Sequence, residues 1–128
     1  MNRFVLDASV LLAVIGSEAG AEKLTPDFLA HAVASTVNLA EVQAKLVSRG
    51  WTSGQAWEDA ISPVREVMSF DEEQARIAGD LVTHTRHLGL SLGDRACLAL
   101  AIALNAPVYT AERAWKKLKV SVAVHLIR

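Results

Sequence analysis

The sequence predicts an α/β fold: a mainly parallel sheet with helices on both faces. Three observations carry this. Short apolar, β-leaning runs alternate with helical segments along the whole chain. The segment Ala96-Cys97-Leu98-Ala99-Leu100-Ala101-Ile102-Ala103-Leu104 is apolar on every side, so its helix should be largely buried. The 128 residues, 52% hydrophobic and 21% charged, supply a core for about one domain and argue against disorder. No repeat, low-complexity stretch or linker divides the chain, so residues 1–128 read as a single domain.

The elements follow in order. Residues 3–6 form a first strand, which Asp7 stops. Ser9 is placed to cap a helix over residues 10–15, broken by Gly16 and Ser17, and residues 18–24 read as a second short helix before Pro26. Residues 31–35 are a second strand. Asn38 caps a helix to residue 49, closed by Gly50, and another helix covers residues 53–61. A third strand spans residues 66–70. Asp71 then starts a long helix to residue 87, ended by Gly89. Ser91 opens the apolar helix, residues 94–105. Residues 107–109 are a fourth strand, residues 112–118 a short helix, and residues 120–127 contain a fifth strand.

Composition narrows the function. Thirteen Lys+Arg against fourteen Asp+Glu leave a net charge of -1, unlike a strongly basic nucleic-acid binder. A single cysteine, Cys97, excludes an intrachain disulfide and a cysteine-rich metal site, and suits a reducing cytoplasm. No apolar run is long enough for a membrane span, and Asp7 stands where a signal peptide would carry positive charge. His31, His84, His87 and His125 are scattered without a ligand pattern; His84 and His87, at i,i+3, fit a solvated helix face.

Four acids sit in matching places. Asp7 ends the first strand, Glu41 lies in the first turn after the second, Asp94 opens the buried helix, and Glu112 follows the fourth strand. Each has a plain structural reading, since acids in a first helical turn suit the dipole and both Asn38-x-x-Glu41 and Ser91-x-x-Asp94 resemble capping boxes. In a parallel sheet, however, these positions share the edge where open α/β sheets bind ligands. Converging carboxylates repel, and a hard divalent ion, Mg²⁺ or Mn²⁺, relieves that with oxygen ligands. Asp71, Glu72 and Glu73 also follow a strand, and the same logic nominates them. Strand order decides between the sets.

The chain resembles PIN-domain nucleases, and specifically small VapC-type toxins, over essentially all of its length. Phe4-Val5-Leu6-Asp7-Ala8-Ser9-Val10-Leu11-Leu12-Ala13 resembles the family's first strand and first metal-binding aspartate. Ser35-Thr36-Val37-Asn38-Leu39-Ala40-Glu41-Val42 carries its glutamate at Glu41, and Leu90-Ser91-Leu92-Gly93-Asp94-Arg95-Ala96-Cys97 its next aspartate at Asp94. Val108-Tyr109-Thr110-Ala111-Glu112-Arg113-Ala114-Trp115 resembles the fourth segment. There the family most often has Asp, and Glu112 moves the carboxylate by about one methylene. The resemblance implies a three-layer α/β/α fold with strand order 3-2-1-4-5, which gathers Asp7, Glu41, Asp94 and Glu112 and leaves Asp71 at an edge. Ser9 and Thr110 match supporting hydroxyl positions; helix capping is their plain reading.

What the resemblance implies is a Mg²⁺- or Mn²⁺-dependent endoribonuclease, the toxin of a toxin–antitoxin pair. Such proteins commonly form homodimers and cleave structured RNA such as tRNA. The antitoxin's basic C-terminal segment occupies a groove near the first helices. In keeping with that, the first 44 residues hold two cations, Arg3 and Lys23, against five acids. The segment after Glu112 carries Arg113, Lys116, Lys117, Lys119 and Arg128 without an acid, which suits phosphate contact or a solvated helix end. Arg95 can contact phosphate or pair with a carboxylate. Trp51, Trp57 and Trp115 are candidates for an interface or for packing. Two other functions fit the residues: RNA processing without an antitoxin, and a non-catalytic Mg²⁺-binding module that leaves RNA intact.

Overall fold

The computed structural model describes residues 2–128. Among them are five strands: β1 (Phe4–Leu6), β2 (Ala32–Ser35), β3 (Glu66–Met68), β4 (Val108–Thr110) and β5 (Val124–Leu126). They form one all-parallel sheet in the order β3-β2-β1-β4-β5. Seven α-helices connect them: α1 (Ala8–Ile15), α2 (Pro26–Leu29), α3 (Thr36–Ser48), α4 (Ser53–Ile61), α5 (Glu72–Asp80), α6 (Val82–Thr85) and α7 (Leu92–Leu104). The chain is thus a three-layer α/β/α structure with the strand order implied by the resemblance.

β1 is the central strand, with Val5 in register with both Val33 of β2 and Val108 of β4. Side chains alternate across a strand, so β1 feeds both layers. Phe4 and Leu6 join Val10 and Leu11 of α1, Leu39, Val42 and Leu46 of α3, and Ala56 and Ala60 of α4. Val5 joins Val33, Val108 and the α7 residues Cys97, Leu98, Leu100 and Ala101 on the other side. Each fully buried Leu or Val contributes about 1.5–3 kcal/mol. Phe28 anchors α2, its ring 4.3 Å from Phe4 and 5.2 Å from Tyr109. α7 is buried from Ala96 to Ala101, as its uniformly apolar sequence requires.

Several local expectations are corrected. Ser9 does not cap α1. Asp7 does, accepting the Val10 amide at 2.9 Å, because the strand-ending carboxylate reaches the first free N–H groups. Asn38 does not cap α3; the cap is Ser35, three residues earlier, whose hydroxyl accepts the Val37 amide at 3.1 Å. Residues 18–24 yield only a 3-10 turn, Ala21–Lys23. Gly20 stands ahead of it at φ +95, packed so close to the Ile127 carbonyl that a side chain has no room. Pro26 opens α2 rather than closing a helix, with Thr25 as its cap. The long helix expected to residue 87 breaks into α5, α6 and a 3-10 turn, Arg86–Leu88. There Thr83 and Thr85 turn their hydroxyls onto the carbonyls of Asp80 and Leu81, at 3.2 and 2.9 Å, in a stretch rich in β-branched residues. The helix expected over residues 112–118 is a 3-10 helix, Arg113–Lys117.

Candidate functional site

The candidate site is built outward from Asp7, at the carboxyl end of the central strand. Its amide donates to the Tyr109 carbonyl at 3.2 Å, continuing the β1–β4 ladder for one residue, and its side chain then caps α1. The residue is only 2% exposed. Oδ1 accepts the Ser9 hydroxyl at 2.6 Å and the Val10 amide at 2.9 Å, while Oδ2 accepts the Thr110 hydroxyl at 2.6 Å. The hydroxyls are fixed in turn, since Ser9 Oγ accepts the Ala111 amide and Thr110 Oγ1 the Glu112 amide, at 2.9 and 3.0 Å. Ser9 and Thr110 therefore serve the carboxylate rather than cap a helix. Burial pushes the Asp7 carboxyl up from 3.8 to about 6, against its three hydrogen bonds, and the charge of Asp94 adds to the rise.

Asp94 and Glu41 reach the same region from two helices. Ser91 caps α7 and forms a reciprocal capping box with Asp94. The Asp94 amide donates to Ser91 Oγ at 3.2 Å, and the Ser91 amide donates to Asp94 Oδ2 at 3.0 Å. The second apparent box, Asn38-x-x-Glu41, is something else. Asn38 is 1% exposed, and its Nδ2 donates to Glu41 Oε1 at 2.8 Å and to the Gly93 carbonyl at 3.0 Å, joining α3 to α7. The Glu41 carboxylate lies against Gly93, where a β-carbon would otherwise stand. Sequence reasoning missed the roles of Asn38 and Gly93. The signals were present: an amide three residues before an acid, and a glycine early in a helix where no turn asks for one.

Cys97 marks the centre of this region. Its thiol is fully buried and pushed far above its usual range, first by burial and then by the charges of Asp7, Asp94 and Glu41 in that order. It is an inert core residue. Glu112 is placed differently. Its amide belongs to the Thr110 hydroxyl network, but its side chain is exposed at the head of the 3-10 helix and caps nothing.

Among the described residues no three Asp, Glu, His or Cys side chains stand close enough together to hold a metal ion. In kind, the donors Asp7, Asp94, Glu41 and Glu112 suit a hard divalent cation, being all oxygen, although only Asp7 is buried. Asp7 carries a charge that burial disfavours and a cation would relieve. In this conformation one oxygen of Asp94 is engaged by Ser91 and one of Glu41 by Asn38.

The remaining candidates lie apart from these acids. Arg95 turns away toward α5, where Nη1 donates to the Ala78 carbonyl at 2.9 Å. Arg113 and Lys116 are exposed on the 3-10 helix after Glu112. Trp115 is buried in the core, whereas Trp51 and Trp57 are exposed. Asp71 caps α5 from the solvent side, beyond edge strand β3, and its neighbours Glu72 and Glu73 lie exposed in the first turn of that helix. Beside Glu41 a groove of about 440 Å³ opens between α1 and α3, lined by Ala8, Leu12, Ala44, Lys45 and Ser48. None of the helices is long and apolar enough to cross a membrane among the described residues.

Comparison with known proteins bears on this arrangement. No curated protein matches the sequence. The fold is similar to that of DNA-bound VapBC from Salmonella typhimurium, at 16% identity and a TM-score of 0.78 over 100% of each chain. It is also similar to VapBC2 from Rickettsia felis bound to a promoter DNA fragment, at 21% identity and a TM-score of 0.74 over 96% of this chain and 97% of the other. A third similar structure is VapC20 from Mycobacterium tuberculosis, a sarcin-ricin loop cleaving toxin, at 17% identity and a TM-score of 0.71 over 94% of this chain and 98% of the other. The family model of the PIN domain matches residues 4–120, from β1 through β4 and the 3-10 helix behind it. The chain belongs to the PIN domain family.

Proposed function

We propose that this chain is a Mg²⁺- or Mn²⁺-dependent endoribonuclease and the toxin half of a toxin–antitoxin pair. The observation that carries the reading is Asp7: a carboxylate 2% exposed, gripped by Ser9 and Thr110 at the end of the central strand, with its carboxyl raised to about 6. Structural relatives that occur as VapBC complexes support the partner, and VapC20, a sarcin-ricin loop cleaving toxin, supports an RNA substrate.

Asp7, Asp94 and Glu41 would hold the ion, with Glu112 as an outer fourth acid. When bound, a divalent ion neutralises phosphate charge and supplies a water acidic enough to attack near neutral pH. The protein's part is to orient and position. Ser9 and Thr110 fix the Asp7 carboxylate in one rotamer, and Ser91 fixes Asp94. Arg113 and Lys116, exposed next to Glu112, contact the RNA phosphates, while Arg95 is engaged by α5. The groove between α1 and α3 takes an antitoxin segment whose apolar residues meet Ala8 and Leu12 and whose basic side chain reaches Glu41. Structured RNA such as tRNA is the proposed substrate, and a homodimer the proposed assembly.

RNA cleavage by the purified, partner-free protein tests this. Total cellular RNA is incubated with Mg²⁺ or Mn²⁺, with chelator, and with the Asp94→Asn variant. Discrete fragments that vanish in both controls are expected. Intact RNA despite measurable metal binding would instead favour the non-catalytic Mg²⁺-binding module.

A further inference from the structure

We propose that Asn38 is a positioning residue: together with Gly93 it sets the Glu41 carboxylate against the start of α7, beside Asp94, as part of a divalent-cation site. This rests on the reading of the acids as a metal site. Asn38 is 1% exposed, and a buried amide needs partners. Its Nδ2 spends both hydrogens, one on Glu41 Oε1 at 2.8 Å and one on the Gly93 carbonyl at 3.0 Å. Its Oδ1 is buried with no partner among the described residues. The side chain is organised around its donor end, which faces the carboxylate.

Gly93 supplies the other half. It lies in the first turn of α7, is buried, and is absent from the glycines with positive φ, so backbone conformation does not call for it. Any β-carbon there would stand inside the Glu41 carboxylate. Glycine weakens a helix relative to alanine, so its presence here serves the close approach. Glu41 is otherwise an exposed side chain on a helix surface, free to rotate. The amide of Asn38 and the bare backbone of Gly93 give its carboxylate one place, a single residue ahead of Asp94.

A Mn²⁺ titration of the full chain, following free Mn²⁺ by its electron paramagnetic resonance signal, tests this. Asn38→Ala and Gly93→Ala are each measured in the native and the Glu41→Gln backgrounds. Each is expected to weaken Mn²⁺ binding by about 10- to 100-fold in the native background. In Glu41→Gln each is expected to change it by less than about twofold, because the residue they act through is gone. Gly93→Ala keeps the test sound if Asn38→Ala unfolds, since the atoms nearest the new methyl are the far end of a flexible side chain, Glu41. Equal losses in both backgrounds would make Asn38 a structural tie between α3 and α7 and overturn the proposal. Unchanged affinity in both variants, with the wild type binding Mn²⁺, would overturn it while leaving the metal site standing. A wild type that binds no Mn²⁺ would overturn both.

Discussion

Asp7 and Asp71 share one local design and differ in everything around it. Each follows a strand, and each caps a helix by accepting the amide three residues on, both at 2.9 Å. Asp7 ends the central strand, is buried, and receives two hydroxyls from Ser9 and Thr110. Asp71 follows edge strand β3, lies exposed, and has only the cap. The cap alone therefore does not make a site. Strand order separates the two, placing one aspartate where neighbouring strands and α7 close over it and leaving the other in water.

The largest expected effect tests that contrast directly. Asp7→Asn is predicted to lower RNA cleavage by about 10³-fold, on the scale of losing a preorganised charge at a reacting centre. Asp71→Ala should leave cleavage within about twofold. Next comes Thr110→Val, which removes the hydroxyl on Asp7 Oδ2 and strips the Glu112 amide of its acceptor. It is expected to slow cleavage by about 10- to 100-fold and to cost about 1–3 kcal/mol in denaturant unfolding.

The metal-free protein offers a third contrast. The Asp7 carboxyl titrates at about 6 in the fold against an ordinary 3.8, so between those values the native state holds more protons than the unfolded chain. Its stability should rise as pH falls from 7 toward 4, by up to about 3 kcal/mol from this group. Thermal melts of wild type and Asp7→Asn across that range should diverge accordingly, and Asp71→Asn should follow the wild type. The smallest effects belong to the exposed residues. Asp71→Ala should cost about 1 kcal/mol of stability as a lost cap. Glu112→Gln, altering an exposed side chain that caps nothing, should reduce cleavage less than Asp7→Asn does.

Much of this was legible in the sequence, because the signals were local. The alternation that sends Phe4 and Leu6 to one layer and Val5 to the other follows from the strand's period of two. The Ser91–Asp94 box closes within one helical turn, so its spacing predicted it. The helix starts near Ser9 and Asn38 were read too late because the capping side chains, Asp7 and Ser35, also end strands. The bond from Asn38 to Gly93 crosses 55 positions of chain, and no local pattern announces it. Strand order has the same character. The placement of the acids alone nominated Asp7 and Asp71 equally, and the resemblance to PIN domains was needed to separate them.

A Mn²⁺ titration of Asp7→Asn beside Asp71→Asn tests most directly whether position in the strand order makes the cation site. Loss of binding in the first, with affinity within about twofold of wild type in the second, is the predicted result. Equal affinity in both variants would contradict it.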